Sequence, residues 1–182
     1  VVVSAMGDTT DGLLSLAKNN LTDALARFQS AAELDPKLSE AHMNVGLIQL
    51  GTRRYDVAKA AFEKVLSQQP KNYDAVIGLG IAQRGLGDLD GAEASYKKAK
   101  DIDPKRGEAY FNLGVLYKDF RANKENDLKS MQNTSKVARQ FFQDCMGKDG
   151  SQGDKDEAQE NIKAIDKLVK QLDEAMKMAA SQ

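Results

Sequence analysis

Apolar and polar positions alternate along the chain in blocks of helical character. Glu40-Ala41-His42-Met43-Asn44-Val45-Gly46-Leu47-Ile48 is followed by a polar turn, Thr52-Arg53-Arg54-Tyr55-Asp56. Ala58, Phe62 and Val65 come next, and their four-then-three spacing puts them on one helix face. The next block repeats this order, with the turn at Gly85-Leu86-Gly87-Asp88-Leu89-Asp90. Leu34-Asp35-Pro36 and Ile102-Asp103-Pro104 close their blocks, because proline can open a helix but cannot sit inside one. The pattern predicts pairs of helices joined by short polar turns.

The pairs keep one period. Pro36, Pro70 and Pro104 are 34 residues apart, as are Gly12, Gly46, Gly80 and Gly114. Ala24, Ala58 and Ala92 follow the same interval, and so do Phe28, Phe62 and Tyr96. A fixed period of this length is the mark of a stacked repeat, in which each unit buries its apolar face on its neighbour. The glycine and alanine let two helices approach closely, and the aromatic fills the gap to the next unit.

On Gly46, Tyr55, Ala58, Phe62 and Pro70, and on Leu79, Gly80, Leu89, Ala92, Tyr96, Ala99 and Pro104, the chain resembles the tetratricopeptide repeat (TPR) family. Tyr110-Phe111-Asn112-Leu113-Gly114-Val115-Leu116-Tyr117 is similar to the family's opening helix. The resemblance covers roughly residues 5–118. It implies an all-α fold, a right-handed α-solenoid of helix-turn-helix repeats with a C-terminal capping helix. The expected units are a degenerate repeat at 5–38, repeats at 39–72 and 73–106, a fourth TPR-like repeat at 107–146, and the capping helix at 154–180.

The ends of the array depart from the pattern. Gly7-Asp8-Thr9-Thr10-Asp11-Gly12 is a poor helix start, so the first helix is expected to begin late, near Thr10 or Asp11. After Tyr117 the phase breaks: Asn126, Ser130 and Asn133 stand where the repeat needs small and aromatic residues. Ala138, Phe142 and Cys145 restore the four-then-three spacing 12 residues late. An insertion at about 119–130 follows, read either as a surface insertion that lengthens the helices or as a binding element. Residues 147–156 read as a flexible polar loop whose spacing fails the calcium-loop pattern. Ala158, Ile162, Ile165, Val169, Leu172 and Met176 then make an apolar stripe on a charged helix, expected to cover the last repeat.

Composition narrows the chemistry. Among 182 residues, 26 Lys plus Arg against 27 Asp plus Glu leave a net charge of −1, which gives no electrostatic footprint for nucleic acid. No apolar run approaches the roughly 20 residues of a membrane helix, so no span is expected in this chain. The chain contains one histidine, His42, and one cysteine, Cys145, and they lie in different repeats. That excludes most metal sites and the usual nucleophile–base pairs. Cys145 is expected to be a small buried residue. No catalytic residue, metal ligand or cofactor is expected, and the chain is read as non-enzymatic.

The resemblance implies a concave groove lined by the first helices of the repeats, which takes a segment of a partner protein. The matching positions are Leu13 in the first unit, Met43, Leu47 and Leu50 in the second, Ile77, Ile81 and Arg84 in the third, and Phe111, Val115 and Lys118 in the fourth. Glu40, Asp74 and Glu108 border them. Asn44 and Asn112 match asparagines of the family's terminal-carboxylate clamp, but Thr9, Leu13, Asp74 and Gly78 stand where its other polar groups belong. An apolar or amphipathic segment therefore fits better than a charged terminus. The same residues can also be read as core, and the chain as a structural segment of a larger assembly with an internally filled groove. That assembly would interact through the insertion or the last helix.

A looser resemblance joins Tyr110 to Phe120, Ala138 to Phe142 and Asp156 to Leu172 with cell-envelope TPR proteins of predatory and gliding delta-proteobacteria. It implies a periplasmic scaffold in motility or pilus machinery, with a lipid anchor upstream as one arrangement and the cytoplasm as the alternative location. The opening Val1-Val2-Val3-Ser4-Ala5-Met6 lacks an initiator methionine, which fits a removed targeting segment or a start within a longer chain.

Overall fold

The computed structural model describes residues 20–181. Helix α1 runs over 20–34, α2 over Ser39–Gly51, α3 over Tyr55–Gln68, α4 over Tyr73–Gly85 and α5 over Leu89–Ile102. Helix α6, Glu108–Val115, continues through a π-helical turn, Leu116–Arg121, and a 3₁₀ turn, Ala122–Lys124. Helices α7, Leu128–Met146, and α8, Gln152–Ala180, complete the described chain. The fold is an all-α solenoid of TPR-type helix pairs. Two compact units divide it, one ending at Gly78 and one beginning at Leu79, with the division inside α4. The expected late start of the first helix and Leu13 lie outside the described residues.

In the first unit α2 packs on α3, whose buried face is Ala58, Ala61, Phe62 and Val65. Phe62 is fully buried and has a glycine on either side. A β-carbon at Gly46 would lie 2.7 Å from its ring, and one at Gly78 would lie 2.4 Å away. The second unit uses the same device. Gly80 meets Tyr96 and Gly114 meets Phe142 at similarly short range. The period in glycine and aromatic is therefore a period in contacts: each ring occupies space that a side chain on the facing helix would fill.

The turns explain another repeated position. After α2, the amide of Arg53 donates to the Leu50 carbonyl and that of Arg54 to the Gln49 carbonyl. After α4, Gly87 donates to Arg84 and Asp88 to Gln83, the same Schellman pattern one period later. The pattern needs a left-handed residue. Gly87 supplies it at φ 82°, but Arg53 must adopt φ 60°. Substituting Arg53→Gly is expected to stabilise the protein by about 1 kcal/mol, read as a higher urea midpoint, because glycine has no β-carbon to strain. An unchanged or lower midpoint would mean that the Arg53 side chain contributes more than its backbone costs.

The second unit holds the fourth helix pair and the last helix. The insertion forms no long loop. Residues 120–124 extend the first helix of the pair and 128–134 extend the second, leaving a turn at 125–127 as short as those at 52–54 and 86–88. The lengthened α7 buries Gln132 and Ser135 where apolar residues would be expected. They are satisfied: Gln132 Nε2 donates to Asp173 of α8 at 2.6 Å, and the Ser135 hydroxyl donates to the Met131 carbonyl at 2.8 Å. With Arg139 donating to Asp166, also at 2.6 Å, these contacts make α7 and α8 antiparallel neighbours. Ala158, Ile162 and Ile165 of α8 join Ala138 and Phe142 in one buried cluster.

Of the residues 147–156 expected to form a flexible polar loop, 152–156 belong to α8 and 147–151 are hydrogen-bonded to the start of α6. The Gly107 amide donates to the Asp149 carbonyl at 2.7 Å, and the Asp149 amide donates to Lys105 at 2.8 Å, a parallel bridge to the start of α6. Ser151 then caps α8 by accepting from the Asp154 amide.

Candidate functional site

Helix α2 is apolar on two faces. Ala41, Val45, Gly46 and Gln49 form its buried side. Met43, Leu47 and Leu50, spaced four and three, form a second stripe. Leu47 is 52% exposed, and Met43 and Leu50 are half-buried. Glu40 lies exposed at the start of the same helix. The described residues cover this stripe only in part. Ile77, at the matching position of α4, is only 3% exposed and belongs to the core. It is a corrected expectation: its side chain is not available surface.

In the second unit the expected positions divide differently. Ile81 is half-buried on α4. Phe111 and Val115 pack against the cluster that α7 and α8 build, and Phe111 meets Phe142 edge-on at 5.5 Å between centroids. They were expected to line an open groove, but the last helix pairing covers them in part. The two expected border cations are also engaged. The Arg84 guanidinium lies 5.8 Å from the Phe120 ring centroid, where the aromatic face attracts it. Lys118 pairs with Asp119 at 2.9 Å.

A charge cluster beside the π-helical turn was not anticipated. Glu93, with its side chain 14% exposed, accepts from Lys97 at 2.6 Å, from Arg121 at 2.7 Å and from the Tyr117 hydroxyl at 2.8 Å. Arg121 also pairs with Asp90. Burial pushes the Glu93 carboxyl upward, but the Lys97, Tyr117 and Arg121 contacts outweigh it and leave the group below its usual range. Burial, with the bond to Glu93, raises the Tyr117 hydroxyl. The cluster ties α5 to the lengthened first helix of the fourth pair. Its members are not related by the repeat period, so no sequence signal marks them as a set.

Cys145 is buried, and burial raises its thiol above the ordinary value, which favours the unreactive form. Among the described residues no three His, Cys, Asp or Glu side chains could hold a metal ion. No helix among them is long and apolar enough to cross a membrane.

Residues 46–107 match the family model of the tetratricopeptide repeat. No curated protein matches the chain significantly. Solved structures share its fold. MamA 41-end from Desulfovibrio magneticus RS-1 is 20% identical, with a TM-score of 0.59 over 74% of this chain and 72% of that one. A crystal structure of MamA is 15% identical, with a TM-score of 0.57 over 85% and 92%. A putative protein binding protein from Bacteroides ovatus ATCC 8483 is 16% identical, with a TM-score of 0.56 over 88% and 95%.

Proposed function

We propose that this chain is a non-enzymatic scaffold that binds an apolar or amphipathic segment of a partner protein on the first-helix faces of its repeats. The repeats are those bounded at 5–38, 39–72, 73–106 and 107–146, with α8 as the cap. The observation that carries the reading is the open stripe of Met43, Leu47 and Leu50 on a helix whose opposite side is already buried. A contiguous apolar surface of this kind needs a partner, and TPR repeats bind protein segments. Ile81 and Arg84 are the candidate positions on the second unit's part of α4.

Affinity capture from source lysate, followed by titration of the captured partner's isolated segment, tests this. Leu47→Glu is expected to keep wild-type helicity, because the side chain is exposed, and to weaken the segment's binding by at least about tenfold, through loss of an apolar contact and burial of a charge. A segment that binds wild type and variant equally would overturn the groove reading.

One observation favours the second reading. Phe111 and Val115 are partly filled by the chain's own α7–α8 pairing, as in a structural segment of a larger assembly that interacts through the lengthened helices. A captured partner indifferent to Leu47→Glu but lost on changes in 120–134 would support it. The likeness of 110–172 to envelope TPR proteins is the support for a place in an envelope machine such as gliding motility, and the captured partner's identity decides that as well.

A further inference from the structure

We propose that the second unit holds a receptor for one lysine or arginine side chain of a partner segment. It is a cavity of about 440 Å³ where the start of α6, the loop 147–151 and the first turn of α8 meet. The proposal rests on the partner-binding reading above and adds a charged residue to the segment described there.

The cavity offers acceptors in excess of donors. Asn112 lines it and is 7% exposed. Its Nδ2 donates to the Glu108 carbonyl at 3.0 Å. A carbonyl can only accept, so this bond fixes which way the amide points and leaves Oδ1 as the free end. Among the described residues no group donates to that oxygen. Asp149 is held in place through its backbone, and Asp154 likewise donates its amide to Ser151. Among the described residues neither carboxylate takes part in an ion pair. Arg106 and Glu108, also in the wall, pair with each other at 3.2 Å and bring no net charge. Two helices point their positive ends here. Glu108 in the first turn of α6 and Ser151 at the cap of α8 answer them in part. Each end carries about half a charge, so the two full carboxylates still leave the cavity negative.

The chemistry of the occupant follows by elimination. An anion would meet two unpaired carboxylates. A metal ion lacks a ligand set among the described residues. An apolar side chain would bury Asn112 Oδ1 without a donor, at a cost of about 1–3 kcal/mol. A cation on an alkyl stem meets all three demands. The stem lies along Phe111, the head donates to Asn112 Oδ1, and its charge is shared by Asp149 and Asp154.

The test is an NMR titration of the isotope-labelled chain with four probes: the N-acetyl amides of lysine, arginine, norleucine and glutamate. The two cationic probes are expected to shift the amide signals of 107–112 and 149–154 along a saturable course. Norleucine and glutamate are expected not to. Asp149→Asn with Asp154→Asn should weaken the response by about tenfold, since both charges facing the cation are removed. Asp149→Asn alone, whose backbone bridge is untouched, serves if the pair perturbs the fold. Absent or unsaturable cation shifts, an equal response to norleucine, or a double variant that binds like wild type would each overturn the proposal. Leu47→Glu should leave this titration unchanged, so a failure here is distinct from a failure of the groove reading.

Discussion

Phe62→Ala is expected to destabilise the protein by about 4 kcal/mol, the cost of removing a fully buried aromatic ring and leaving a cavity. Gly78→Ala should also destabilise, although alanine is the better helix former. Its β-carbon would lie 2.4 Å from the Phe62 ring. That ring is fully buried and has Gly46 on its other side, so it has no room to retreat. Overpacking of this kind costs about 1–3 kcal/mol, against a gain of about 1 kcal/mol in helix propensity. The decisive measurement is the double variant. With the ring gone, the new methyl enters the space it left. Gly78→Ala should then cost nothing or stabilise, giving a coupling of about 2 kcal/mol in a urea double-mutant cycle. Additive costs would show that the glycine is not there to make room for the ring.

Tyr96→Phe is expected to act in the opposite direction. The Tyr96 side chain is fully buried and its hydroxyl has no hydrogen-bond partner among the described residues. Removing an unsatisfied buried hydroxyl should stabilise the protein by about 1 kcal/mol at neutral pH. The larger effect is alkaline. Burial pushes the Tyr96 hydroxyl from 10 up to about 12, with Arg84 pulling the other way. Between those values the unfolded chain has lost the proton and the folded one has kept it. The unfolded state binds fewer protons there, so stability falls as pH rises, and the wild type should lose about 3 kcal/mol across the window. The phenylalanine variant has no such group. Its urea midpoint should therefore pull away from that of the wild type from about pH 10 upward. Parallel curves would mean that the hydroxyl finds a partner or water in solution.

The repeat could be read from the sequence because one contact generates it. Gly46 with Phe62 and Gly80 with Tyr96 are the same pair of residues sixteen apart, Gly114 with Phe142 is that pair with the insertion between its members, and each pair leaves its mark at both positions. What covers a first-helix position could not be read in this way. Ile77, Phe111 and Val115 occupy the same register as Met43 and Leu47, but exposure depends on which element arrives later. For Phe111 and Val115 that element includes α8, which begins at Gln152 and keeps no period with the repeats. The phase break after Tyr117 was visible, and lengthened helices were one of two readings of it, but the hydrophobic pattern could not choose between them, because Gln132 and Ser135 are polar residues at buried places. Their burial depends on hydrogen bonds, to Asp173 and to the Met131 carbonyl, that a hydrophobic pattern does not record. The Glu93 cluster was hidden for a related reason. Charges look alike in a sequence whether solvated or paired, and only the fold brings Tyr117 and Arg121 to Glu93.

The π-helical turn at Leu116–Arg121 bears on how the length of this chain can vary. A π turn is an α-helix that has swallowed one residue more than its height requires. The surplus is taken up locally, so Leu113 below it and Ala122 above it both remain buried. A one-residue deletion inside the turn therefore has somewhere to come from: the segment can rewind to ordinary α-helix without rotating what lies on either side. The same deletion in α5 would swing every later side chain by about 100° and tear Tyr96 from Gly80. The chain thus carries slack at one place and none at its neighbours, and a change of length in this repeat has a natural point of entry.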